Sequence, residues 1–125
     1  MSDNPFNILP NDFNAAEATL NEDITDLNKQ IENLINSSEV FLFMKGNAES
    51  PMCGFSANTI GILNQLQKPF KTFDILSDQA IREGVKQYSN WPTYPQLYYK
   101  GKLVGGNDII NEMFQAGDLQ NLMKN

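Results

Sequence analysis

The chain has 125 residues, enough for one domain around a single core, and a formal net charge of −6. Histidine is absent and Cys53 is the one cysteine, which excludes Cys-His and Ser-His catalysis, His-ligated metal sites and an internal disulfide within this chain. The charge is uneven: residues 1–39 carry eight carboxylates against Lys29 alone, residues 40–125 carry eight basic and seven acidic side chains, and neither part has the basic-aromatic interleaving of a nucleic-acid binder.

Residues 1–21, with Pro5, Pro10 and many Asn and Ala, show no sustained period and read as a flexible acidic leader, leaving one domain over 22–125. Residues 1–22 contain no Lys or Arg, unlike Arg-rich mitochondrial transit peptides. No apolar run is long enough to span a bilayer, so a soluble cytoplasmic protein without membrane contact is expected. From Asp23, the residues Ile24, Leu27, Ile31, Leu34 and Ile35 fall on one face of an amphipathic helix that ends at Asn36-Ser37-Ser38. Val40-Phe41-Leu42-Phe43-Met44 is too short for a typical helix and reads as a strand buried on both faces.

Ser50-Pro51-Met52-Cys53-Gly54-Phe55-Ser56 follows as a turn, with Cys53 at the start of a helix that carries Ile60, Leu63 and Leu66 over Ala57 to Gln67 and stops at Pro69. A cysteine there meets the positive end of the helix dipole and unpaired N–H groups, which favour a nucleophilic, metal-ligating thiolate over an inert buried thiol. Phe70 to Ile75 alternates as a second strand and completes a βαβ unit. Ser77-Asp78 caps a helix reaching Ser89, with Ile81, Val85 and Tyr88 inward. Gln96 to Lys100, Gly101 and Lys102 to Val104 form a hairpin. Gly105-Gly106-Asn107-Asp108 opens a helix with Ile109, Ile110, Met113 and Phe114, and Gly117-Asp118 starts a short last one. A βαβ unit followed by ββα specifies an α/β, thioredoxin-like fold: a mixed four-stranded sheet flanked by helices, with an additional N-terminal helix.

Lys45-Gly46, Pro51-Met52-Cys53-Gly54-Phe55-Ser56, Trp91-Pro92-Thr93-Tyr94-Pro95-Gln96 and Gly105-Gly106-Asn107-Asp108, in that order, resemble the monothiol glutaredoxins of the CGFS type over roughly residues 24–124. A dithiol motif would have a second cysteine at position 56 to resolve a mixed disulfide; Ser56 cannot, so Cys53 hands a disulfide to an external thiol or keeps a bound partner. The resemblance assigns Lys45 and Arg82 to the glycyl carboxylate of glutathione, and arginine's planar fork suits such a group. It implies a cis Tyr94-Pro95 bond, with the Tyr94 backbone offered to the tripeptide as an added strand. The resemblance adds Phe55 and Thr93 to the same glutathione-binding set. Gly106 and Asn107 lead the helix start toward the γ-glutamyl carboxylate, and Asp108 meets the γ-glutamyl ammonium. Asn107 or Asp108 also suits an N-cap role, and many relatives carry cysteine where this chain has Asn107.

A 2Fe-2S cluster takes four ligands, usually thiolates, and one chain supplies Cys53. The resemblance implies that two chains and two glutathiones complete the set, giving a homodimer that carries and transfers the cluster in iron-sulfur biogenesis and iron homeostasis. BolA-type partners and apo iron-sulfur recipients follow from the same resemblance. The alternative is a glutathione-dependent monothiol oxidoreductase in which Cys53 attacks protein-glutathione mixed disulfides.

Overall fold

The computed structural model describes residues 24–124; the leader expected over 1–21 lies outside the described residues. The first helix, α1, covers 24–35. Ile31 and Ile35 on its inner face are buried and Leu27 and Leu34 pack beside them, while Ile24 at its start stays exposed. The elements that follow are β1 (Val40–Met44), α2 (Gly54–Leu66), β2 (Lys71–Asp74), α3 (Gln79–Ser89), β3 (Gln96–Tyr99), β4 (Lys102–Gly105), α4 (Asn107–Ala116) and α5 (Asp118–Leu122).

The sheet has the order β2-β1-β3-β4. β1 runs parallel to β2, with Phe41 opposite Lys71 and Met44 opposite Asp74. It runs antiparallel to β3, with Val40 opposite Tyr99 and Phe43 opposite Gln96. β1 is therefore interior, and all five of its residues are buried. Strand periodicity splits them between two cores. Val40, Leu42 and Met44 meet Ile60 and Leu63 of α2, Ile110 of α4 and Leu119 of α5. Phe41 and Phe43 meet Ile31 and Ile35 of α1 and Ile81 and Val85 of α3. Phe43 stands edge-on to Phe41, Phe73 and Tyr98, with centroids 5.1, 6.2 and 5.7 Å away. Each such pair adds about 0.5–1.5 kcal/mol beyond area burial, which makes β1 the rigid base from which the loop after Met44 projects.

The start of α2 and the exposure of Tyr88 differ from the sequence expectation. α2 begins at Gly54 because Cys53 itself is the N-cap: its backbone is extended (φ −154°, ψ 158°) and its sulfur accepts the Ser56 N–H. Its last helical residue is Leu66, and Gln67 caps it in the left-handed conformation, within one residue of the end expected ahead of Pro69. Tyr88 is 37% exposed rather than inward, because its hydroxyl reaches Glu32 Oε2 of α1 at 3.4 Å and keeps a wet polar tip. α3 starts as expected, with Asp78 Oδ1 accepting the Ile81 N–H at 3.0 Å.

Candidate functional site

The C-terminal end of β1 and the start of α2 are tied together by backbone and one buried hydroxyl. Lys45 N–H donates to Ser56 Oγ at 3.2 Å, and Met52 N–H donates to the Lys45 carbonyl at 2.8 Å. Asp74 Oδ1, at the end of β2, accepts from Gly46 N–H and Leu76 N–H, both at 2.9 Å. The chain cannot stray between Lys45 and Cys53, and the lysine is held beside the thiol.

Cys53 is half-buried, and Ser56 is fully buried behind it. The Cys53 sulfur lies 3.4 Å from Ser56 Oγ and 3.4 Å from Ser56 N. The protonated thiol donates to the hydroxyl, and on ionisation the hydroxyl turns its own hydrogen to the thiolate. Burial pushes the thiol pKa up, but the Ser56 hydroxyl, the Ser56 and Phe55 amides and the Lys45 charge together outweigh it, and the net shift is downward. The thiolate therefore favours the folded state above the ordinary cysteine pKa of about 8.5, and that contribution is lost as pH falls through the lowered folded value. Ser56→Ala removes the hydroxyl and is expected to move the pH profile of Cys53 alkylation by iodoacetamide to higher pH. An unchanged profile in a folded variant would leave the hydroxyl no part in ionising the thiol.

Next to this turn is a cavity of about 580 Å³. Lys45 and Phe55 line it from the thiol side, Arg82 and Lys86 from α3, Thr93 and Tyr94 from the loop before β3, and Gly106, Asn107 and Asp108 from the start of α4. Eight of the residues singled out in the sequence thus meet at one cavity. Cys53 and Pro95 are not among the lining residues: Cys53 sits in the adjoining turn and Pro95 is buried behind it. The Tyr94-Pro95 bond is cis, as the resemblance implied. The Tyr94 side chain points into the α1/α3 core and its hydroxyl donates to the Arg82 carbonyl at 2.7 Å, so the loop is pinned to α3.

Lys45 and Arg82 form no ion pair among the described residues, whereas Lys86 reaches Glu83 at 3.2 Å. Among the described residues Asp108 is the sole acidic one lining the cavity, which presents a cationic wall to an anion. Lys86 escaped the sequence reading, although it stands four residues after Arg82 and so on the same helical face. Trp91 also lines the cavity; its Nε1 is buried without a partner and would lie 3.1 Å from a Cβ placed on Gly106. A side chain at position 106 would press on the indole, which would have to give by a few tenths of an ångström. Gly106 is the N-cap of α4 and supplies no side-chain cap, which corrects the expectation that Asn107 or Asp108 caps it: both lie inside the first turn. Asn107 turns instead toward α2, where its Oδ1 accepts from Asn58 Nδ2 at 2.9 Å and from Thr59 Oγ1 at 3.3 Å.

Residues 40–104 match the family model for glutaredoxin. A curated relative, "Uncharacterized monothiol glutaredoxin ycf64-like" of Synechocystis sp., is 50% identical over 95 residues, 76% of this chain and 89% of that protein. The chain belongs to the monothiol glutaredoxin family. "Monothiol glutaredoxin-S11" of Oryza sativa subsp. japonica is 50% identical over 111 residues, 89% of this chain. The chain spans 22% of that protein's length, and 19% and 29% of two other glutaredoxins from Arabidopsis thaliana and Danio rerio. Among solved structures, reduced poplar apo GrxS14 superposes with a TM-score of 0.71 at 42% identity, over 78% of this chain and 90% of that one. The thioredoxin-like glutaredoxin fold is thereby established, and the motifs around Cys53, Tyr94-Pro95 and Gly106 stand in a glutaredoxin framework.

Proposed function

We propose that this glutaredoxin binds glutathione in the cavity beside Cys53 and that two such chains carry a 2Fe-2S cluster between them for transfer to apo iron-sulfur proteins. The observation that carries the reading is the pair of cations, Lys45 and Arg82, without an ion pair among the described residues and facing one cavity next to a thiol of lowered pKa. Glutathione is an anionic tripeptide with a thiol near its middle. Lys45 and Arg82 suit its glycyl carboxylate, the Thr93-Tyr94 backbone suits its extended chain, and the first turn of α4 with Asp108 suits its γ-glutamyl end.

The cluster is cargo. Each chain has one cysteine and no histidine, and the described residues contain no cluster of metal-ligating side chains, so a four-ligand cluster needs thiolates from outside the chain. Two Cys53 thiolates and two glutathione thiolates meet that number. The chain's own residues bind the tripeptide, hold its thiol beside Cys53 and favour ionisation of Cys53. Met52 and Phe55, each 63% exposed on either side of Cys53, suit contact with a second chain, a BolA-type partner or a recipient. The described residues contain no helix long and apolar enough to cross a membrane, in keeping with a role in the cytoplasm in iron-sulfur biogenesis and iron homeostasis.

The test is anaerobic reconstitution with iron and sulfide, with glutathione as the only small thiol, followed by desalting to remove it. Visible absorption and a dimer are expected while glutathione is present, and loss of both together once it is withdrawn. A cluster stable on a monomer would overturn the proposal.

The lowered thiol pKa also supports a second reading as an oxidoreductase. The Cys53 thiolate would attack the glutathione sulfur of a protein-glutathione disulfide, releasing the protein thiolate to take up a proton. A second glutathione thiolate would then attack the Cys53 mixed disulfide and leave as glutathione disulfide, restoring Cys53. Rapid steady-state turnover by cluster-free protein would favour this reading over the carrier.

A further inference from the structure

The start of α4 is held by α2 and not by a cap of its own. Asn58 stands on the exposed face of α2, one turn beyond Cys53, and its carboxamide donates to Asn107 Oδ1 at 2.9 Å and to Asn111 Oδ1 at 2.7 Å. An asparagine amide nitrogen has two hydrogens, and both are used. Thr59 Oγ1, buried on the next residue of α2, donates to the same Asn107 oxygen at 3.3 Å. Asn107 and Asn111 are one turn apart on α4, so a single side chain from α2 grips the first turn of α4 at two heights. Gly106 gives that turn no side-chain cap. Asn107 lines the cavity together with Asp108, and with Oδ1 engaged on α2 the polar group it retains for a ligand is its Nδ2 donor.

We propose that Asn58 is a positioning residue for the γ-glutamyl end of glutathione: by bridging Asn107 and Asn111 it fixes the first turn of α4 relative to the turn that bears Cys53. The inference rests on the glutathione reading above. One helix supplies the thiol turn and the other supplies the receiving amides, so the distance between them is the length a bound tripeptide must match from its cysteine to its γ-glutamyl carboxylate. A ligand positioned at both ends loses affinity when one end drifts by a fraction of an ångström. The glycyl end, received by Lys45 and Arg82, does not depend on this bridge.

That asymmetry defines the test. Calorimetric titration of the apo chain and its Asn58→Ala variant compares glutathione with cysteinylglycine, which keeps the thiol and the glycyl carboxylate but lacks the γ-glutamyl group. Asn58 is exposed within a helix, and alanine is the better helix former, so the variant folds. Asn58→Ala is expected to weaken glutathione about three- to tenfold, the scale of one or two lost hydrogen bonds, with cysteinylglycine unchanged. Asn58→Gln keeps both donors on a longer stem and is expected to recover part of the loss. Equal weakening of both ligands would mark a general loosening of the domain and overturn the proposal, as would unchanged glutathione affinity. Failure of the unaltered chain to bind glutathione at all would overturn the underlying reading, and the positioning role with it.

Discussion

Cys53→Ser is expected to abolish cluster loading and cluster-dependent dimerisation while leaving the domain folded and its melting temperature unchanged. The expectation comes from the cap that Cys53 forms and from the ligand role proposed for it. As the N-cap of α2 its sulfur accepts the Ser56 N–H at 3.4 Å. Serine is among the preferred N-cap residues, so its oxygen takes over the acceptor role of the sulfur. As a ligand, however, serine fails: its hydroxyl stays protonated where a thiol of lowered pKa ionises. With one cysteine per chain nothing else in the sequence can replace it. Reconstitution with glutathione should therefore give no visible absorption above background and a monomer by size-exclusion chromatography, alongside a thermal transition like that of the parent. A cluster retained on Cys53→Ser would end the assignment of this residue as ligand. An unfolded variant would show that the sulfur is structural.

The second large effect concerns the cationic wall. Lys45→Ala and Arg82→Ala are each expected to weaken glutathione binding about tenfold or more, as for one charge-assisted hydrogen bond of roughly 1.5–3 kcal/mol, and the double variant further, though not additively because the two share one carboxylate. Neither change should unfold the chain. The bonds that fix Lys45 use its backbone: the N–H to Ser56 Oγ and the carbonyl from Met52. Arg82 likewise accepts the Tyr94 hydroxyl through its carbonyl, so truncating the guanidinium leaves that contact in place. The affinity that remains should also depend less on salt, because screening acts on the charges that have been removed. Calorimetric titration at two ionic strengths, with denaturant melts of each variant, measures both. Intact affinity with lowered stability would make the two cations structural and withdraw them from the site.

Much of this site lay in local sequence. Val40 to Met44 could be read as an interior strand because five consecutive apolar residues flanked by polar ones have few other homes. Asp78 could be read as a cap because a carboxylate ahead of an apolar helical period is a local arrangement of two or three residues. Position 56 showed at once that no internal resolving thiol exists, since that depends only on which atom the side chain carries. Tertiary structure decided what depends on residues distant in the chain. Lys45, Arg82 and Asn107 come to one cavity because β1 is interior and α3 and the start of α4 pack against opposite faces of its sheet. Asn107 looked like a helix cap from its neighbours alone, yet Asn58 and Thr59, 49 and 48 residues earlier, offer its oxygen donors on α2, and Gly106 takes the cap position. Tyr88 fits an inward helical period, yet Glu32 on α1 draws its hydroxyl outward. Periodicity reports which face of an element is apolar; which polar groups meet across two elements is settled only when both are packed, because hydrogen bonds reward close approach and direction over a few tenths of an ångström and sequence spacing carries neither.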